Sequence, residues 1–178
     1  MKVVVLTGPE SSGKSWLATQ LQQRYGGVLL AEYVREYIDT HQRDTTYADI
    51  DPIAREQLQR EDAARRALPS LLLLDTHLLS NILWSQVLFQ DCPPWLEAAL
   101  LARRYDLHLL LSPQGVPWVA DGQRCQPDMA QRQAFFDACL GWLDDHRQPC
   151  QVLGGDWAQR QTAALDAVGQ LLAGNQRI

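Results

Sequence analysis

Eight consecutive residues near the start of the chain, Gly8-Pro9-Glu10-Ser11-Ser12-Gly13-Lys14-Ser15, have the types and spacing of a loop that grips a polyphosphate. They fit G-x-x-x-x-G-K-[ST], in which glycines let the backbone curl until successive N–H groups point at the phosphates. The helix that follows adds partial positive charge at its N-terminus. Lys14 would reach the β- and γ-phosphates of ATP, and the Ser15 hydroxyl would help hold Mg²⁺. The expected nucleotide contacts are Gly8, Glu10, Ser11, Ser12, Gly13, Lys14, Ser15 and Trp16. A chance match is the competing reading. Against it stands the context, since the pattern directly follows the β-branched run Val3-Val4-Val5-Leu6 and opens a stretch with apolar Trp16, Leu17 and Leu21 at helical spacing.

Two acids stand where phosphoryl transfer needs them. Leu71-Leu72-Leu73-Leu74-Asp75 is an apolar strand ending in a carboxylate, the form taken by a metal-binding Asp beside such a loop. Asp75 could instead cap the helix that starts near His77. Glu32 follows a second apolar run, in Ala31-Glu32-Tyr33-Val34-Arg35-Glu36-Tyr37. An acceptor hydroxyl needs a carboxylate to orient it and take its proton, and Glu32 is the candidate base. Its alternative is an ordinary ion pair with Arg35 on a helical turn. Pro117-Trp118-Val119-Ala120-Asp121-Gly122-Gln123-Arg124, with Arg132 beyond it, reads as a lid over about 113–132 whose arginines meet the migrating charge and whose closure excludes water. Arg124 and Arg132 could also be solvated surface charges. Trp84, Trp118 and Tyr33 could border a flat base, and a cationic base would gain cation–π attraction. Trp157, in Gly154-Gly155-Asp156-Trp157, is placed to border the adenine; Trp16, Trp95 and Trp142 suit core packing as well.

These residues need a scaffold, and the chain supplies one. Short apolar runs at 2–6, 28–30, 71–74, 107–111 and 151–153 alternate with helical stretches at 14–25, 52–68, 78–89, 95–104, 129–146 and 157–173. That alternation predicts an α/β fold with a parallel five-stranded sheet flanked by helices. Asp51 is the expected N-cap of the 52–68 helix, with Pro52 in its first turn. No repeat or linker divides the chain, so 1–178 is expected to be one domain.

Composition narrows the partners. A net charge of −5 argues against a general nucleic-acid or anionic-membrane surface, so a polyphosphate would need a locally positive pocket. No apolar run is long enough for a signal peptide or a membrane span. Cys92, Cys125, Cys139 and Cys150 show neither zinc spacing nor a secretory context, and reduced thiols in the cytoplasm are expected. The oligomeric state is left open.

Gly8 to Ser15, Glu32-Tyr33-x-Arg35-Glu36, Asp75-Thr76, Tyr105-Asp106-Leu107 and Pro117-Trp118-Val119-x-Asp121-Gly122-x-Arg124 together resemble the ribosylnicotinamide kinase domain of the NadR family and its stand-alone relatives. The likeness spans almost the whole chain. The E-Y-x-R-E and P-W-x-x-D-G-x-R segments are more specific to that family than the phosphate loop. The resemblance implies a P-loop nucleoside-kinase-like fold and transfer of the ATP γ-phosphate to the 5′-hydroxyl of nicotinamide riboside. It also implies that Glu32, Tyr33, Arg35 and Asp75 line the acceptor site and that Asp121, Gly122 and Arg124 belong to the lid. Met1 stands just before the first apolar run, so the nucleotidyltransferase and DNA-binding parts of the bifunctional family protein are not expected here. His77 stands where family members often carry a second acid. A kinase for another nucleoside, a bare ATPase and a nucleotide-binding regulator remain alternatives; retention of Lys14, Ser15, Asp75 and Glu32 together favours an enzyme.

Overall fold

The computed structural model describes residues 1–174, so the last four positions of the expected 1–178 domain lie outside the described residues. Five strands, β1 (Lys2–Thr7), β2 (Val28–Leu30), β3 (Leu71–Asp75), β4 (Leu107–Leu111) and β5 (Cys150–Leu153), form one parallel sheet in the order β2-β3-β1-β4-β5. Parallel strands covered on both faces need apolar side chains on both, which is why β1 and β3 are unbroken apolar runs. Val3, Val5, Leu72 and Leu74 face one core, and Val4, Leu6, Leu71 and Leu73 the other.

Helices α1 (Lys14–Tyr25) and α7 (Trp157–Ala173) cover the second face through Leu17, Leu21, Ala164 and Val168. Helices α3 (Tyr47–Arg66), α4 (Leu78–Phe89), α5 (Trp95–Leu101) and α6 (Met129–Asp145) supply the core of the first. The sheet order reverses about β1, so the carboxyl ends of β1, β3 and β4 open a crevice at that switch point. The phosphate loop leaves β1 at this crevice, and Asp75 ends β3 beside it.

Two differences from the sequence reading matter. The segment after Glu32 is a full helix, α2 (Tyr33–His41), and not a single turn. Helix α3 begins five residues before the expected Pro52, at a capping box in which Thr46 and Asp49 satisfy each other's backbone N–H groups. Asp51 is therefore no cap; it accepts from Arg55 and from the Trp95 indole, tying α3 to α5. Trp95 and Trp142 pack against the first core as expected, whereas Trp16 is 40% exposed.

The family's Tyr105-Asp106 pair serves the scaffold. Asp106 accepts from Val3 N at 2.9 Å at the amino end of the sheet, far from the loop, and Tyr105 packs with His77 and His108. His77 and His108 are fully buried with their Nε2 atoms 3.2 Å apart. His108 Nδ1 donates to the Pro149 carbonyl at 3.0 Å, so its Nε2 accepts and His77 Nε2 carries the proton between them. His77 thus points into the core and does not replace a site carboxylate.

Burial pulls the His108 imidazole down to about 4. Between that value and 6.5 the unfolded chain binds the extra proton, so stability falls as pH drops through this window. From about pH 7 to about pH 5 this group alone removes about 2 kcal/mol of stability. Urea unfolding of His108→Gln should show that much less pH dependence over the same interval.

Candidate active site

The phosphate loop is shaped by two positions that exclude a Cβ atom. Gly8 has φ 131°, and a Cβ there would come 2.6 Å from the Leu111 carbonyl oxygen. Gly13 has φ 93°, and a Cβ there would come 2.3 Å from the Trp157 ring. Ser12 is buried and spends its hydroxyl on the Pro9 carbonyl at 2.8 Å, which braces the loop from inside. Lys14 Nζ folds over the loop, donating to the carbonyls of Gly8 (3.0 Å) and Pro9 (2.8 Å). Trp16 and Trp157 meet edge to face with centroids 5.3 Å apart, an exposed indole pair at the loop's outer rim.

Two clefts flank Glu32. The first is a cavity of about 340 Å³. Its lining joins polar Glu10, Lys14, Glu32, Thr76 and Arg124 with apolar Ile38, Ile50, Ile53, Trp84, Leu88 and Phe89. Asp44, Thr45, Gln57 and Asn81 add further polar groups, so the cavity suits a small molecule with both apolar and polar parts. The second cleft, about 530 Å³, contains Ser15 and Asp75 together with Glu32 and Arg35. Asp75 is 5% exposed and its Oδ1 has no hydrogen-bond partner. It does not cap α4, whose N-cap is His77. A buried carboxylate oxygen without a donor, sharing a cleft with the loop serine, fits a hard cation that takes oxygen ligands. No cluster of three or more His, Cys, Asp or Glu side chains among the described residues could hold an ion, so any cation here would draw its other ligands from phosphate and water.

Glu32 precedes α2 in an extended conformation and faces the crevice with its side chain 16% exposed. Burial raises its pKa and Asp75 adds to the rise, while Lys14, Arg35 and the Thr76 hydroxyl, 3.4 Å away, oppose it. Thr76 reaches Glu32 from a left-handed residue (φ 68°) just past β3. Arg35 makes the local pair expected with Glu32, Nε to Oε2 at 3.4 Å, and also donates to Asp121 at 2.8 Å. Asp121 in turn lies 3.1 Å from Arg124 Nε, so the segment holding both docks on α2 through charge. Gln123 adds a 2.6 Å bond to Asp39.

Four expected acceptor contacts lie outside the 340 Å³ cavity: Asp75 belongs to the second cleft, and Tyr33, Trp118 and Asp121 line neither. Tyr33 is turned against Arg60, whose guanidinium sits 4.3 Å above its ring, and its amide is held by Gln57. Trp118 donates its indole N–H to Glu10 at 2.7 Å, and Asp121 acts through its two arginines. Arg132, on the first turn of α6, is no solvated surface charge: it is 3% exposed, and Nε and Nη1 have no partner. The sequence reading missed Glu10 as a contact of segment 118–126 and Asp44, Gln57, Asn81 and Phe89 as cavity wall. Val34 and Ile38, one helical turn apart, were the available signal for α2 and its cavity face.

Fold and crevice define a P-loop NTPase of the nucleoside- and nucleotide-kinase type. Among solved structures, the chain superposes on NadR in complex with NR (TM-score 0.81, 22% identity, 97% of this chain and 52% of that one). It also superposes on deoxyadenosine kinase from M. mycoides (TM-score 0.68, 10% identity, 94% of this chain and 99% of that one). A family model described as AAA domain (AAA_28) matches residues 3–160, and the chain belongs to that family. Its curated relatives include the trifunctional NAD biosynthesis/regulator protein NadR of Salmonella typhimurium, 30% identical over 150 residues, 82% of this chain and 36% of the relative. The Escherichia coli protein of the same description is 27% identical over 182 residues, 99% of this chain and 44% of the relative. The chain therefore spans less than half the length of these relatives, and the kinship read from its motifs is with the NadR kinase-like part.

Replacing Gly13 by Ala should weaken magnesium–nucleotide binding by about tenfold or more in calorimetry and lower the melting temperature, since the forced φ alone costs about 1–3 kcal/mol. Adding Trp157→Ala removes the ring contact but not the backbone strain, so it should restore only part of the thermal loss.

Proposed function

We propose that this chain is an ATP-dependent kinase that transfers the γ-phosphate to the 5′-hydroxyl of nicotinamide riboside, giving nicotinamide mononucleotide in NAD salvage. Residues 1–178 would act as one cytoplasmic domain with its lid over about 113–132. The observation that carries this reading is the position of Glu32, whose side chain belongs to both clefts. One cleft holds Ser15 and Asp75; the other is lined by Lys14 of the phosphate loop and by Trp84 and Phe89. A base is useful in that place only if a hydroxyl in the cavity attacks a phosphate on the loop.

In this mechanism the loop amides and Lys14 hold the triphosphate, with the adenine against the exposed Trp16–Trp157 pair. Ser15 and Asp75 would hold Mg²⁺, which when bound neutralises charge on the β- and γ-phosphates. Glu32, ionised, takes the proton of the 5′-hydroxyl as the new O–P bond forms and the bond to the β-phosphate oxygen breaks. Arg124 from the lid and the unpartnered Arg132 would meet the charge that develops on the transferred group. Trp84 and Phe89 would flank the pyridinium ring, and Asp44 in the same wall would favour its positive charge.

Incubation of the purified protein with Mg·ATP and a panel of nucleosides tests the reading. ADP and the phosphorylated product should appear fastest with nicotinamide riboside, whereas ADP formation independent of any acceptor would replace the kinase with an ATPase. Glu32→Gln should lower kcat by about 10²–10⁴ with ATP affinity changed less than about twofold. Because the Glu32 pKa is raised and the base must be ionised, kcat should fall on the acid side at a pH above 4.5, and this limb should vanish in Glu32→Gln. Lys14→Ala should abolish turnover and leave the circular dichroism spectrum unchanged.

A further inference from the structure

Phosphate chemistry dictates the glycines, Lys14 and Ser15 of the loop, but not its variable positions, and two of these hold the lid. Glu10 is 8% exposed and carries no cationic partner among the described residues. Its carboxylate accepts the Trp118 indole N–H and the Gln126 amide at 2.7 Å each, and the Cys125 amide at 3.1 Å. Ser11 Oγ accepts the Val119 amide at 3.0 Å and donates to the Pro117 carbonyl at 3.3 Å. A buried carboxylate facing three neutral donors, beside a loop built for anions, is costly to place there for packing alone. What it achieves is geometric, because Arg124 and Cys125, the residues drawn in by these bonds, form a wall of the acceptor cavity.

We propose that Glu10 is a positioning residue for the transfer reaction, latching segment 117–126 to the phosphate loop so that the acceptor cavity is closed and Arg124 stands over the loop. The role rests on the kinase reading, but the latch itself is measurable without turnover. ATP is held by backbone and Lys14, so loss of the latch acts on acceptor binding and transfer more than on the nucleotide.

The test uses the full chain with Glu10→Ala, Glu10→Gln and Trp118→Phe. In hydrogen exchange, peptides over 117–126 should exchange about tenfold faster or more in Glu10→Ala, with β1 peptides unchanged. Glu10→Gln, which keeps an acceptor oxygen, should recover much of the protection. In steady state, Glu10→Ala should raise the acceptor KM and lower kcat by about tenfold each, with the ATP KM within about twofold. Should Glu10→Ala fail to fold, Trp118→Phe removes one donor of the latch and should still speed exchange of the lid. Unchanged lid exchange in the folded variants, or an ATP KM rising as much as the acceptor KM, would overturn the proposal. Faster lid exchange in a protein that phosphorylates no nucleoside would uphold the latch and sink the kinase reading instead.

Discussion

Everything at the crevice depends on how closely a backbone turn can approach its neighbours. The loop between β1 and α1 presents its amides to an anion only because nothing projects from Gly8 toward the Leu111 carbonyl or from Gly13 toward the Trp157 ring. Both positions also need positive φ, which glycine adopts without strain. The constraint ties the loop to β4 on one side and to the start of α7 on the other. The anion site is therefore made by three elements, though its motif occupies one.

Around that turn the protein separates two tasks by charge. Asp75 keeps a buried oxygen without a partner, while Glu32 is held by Arg35 and approached by Thr76. Burial pushes the Glu32 carboxyl upward and the neighbouring Asp75 charge adds to the rise, while Lys14 and Arg35 oppose it. The charges of segment 121–124 are organised in the same way. Asp121 engages Arg35 of α2 and Arg124 of its own segment, so this segment meets α2 through charge. Such a contact can open without exposing a core.

Support for this crevice is stiff where it must be. Arg160 is fully buried and donates to the carbonyls of Gly155, Ser112 and Gln114, stapling the loop after β5 to the segment that leaves β4. His108, Tyr105 and His77 fill the opposite core beneath β3 and β4 with neutral, interlocked rings. Neither cluster touches the cavity, yet both determine where its walls stand.

Local pattern alone pointed to the parallel sheet, because both faces of β1 and β3 are buried and each leaves a continuous apolar run of strand length. It likewise determined the phosphate loop, whose spacing is dictated by a ligand of known shape. Helix α2 and the first turn of α3 were less legible, since their stabilising signals, Val34 with Ile38 and Thr46 with Asp49, are short and polar-flanked. Only the tertiary structure decided which aromatic rings face the cavity. Trp84 does and Tyr33 does not, because the direction of a side chain on a helix depends on the neighbour it packs against, here Phe135 for one and Arg60 for the other. Glu10 is the clearest case. Its partners lie more than a hundred residues away in the chain, and no spacing rule connects a variable loop position to donors that reach it only in the folded chain.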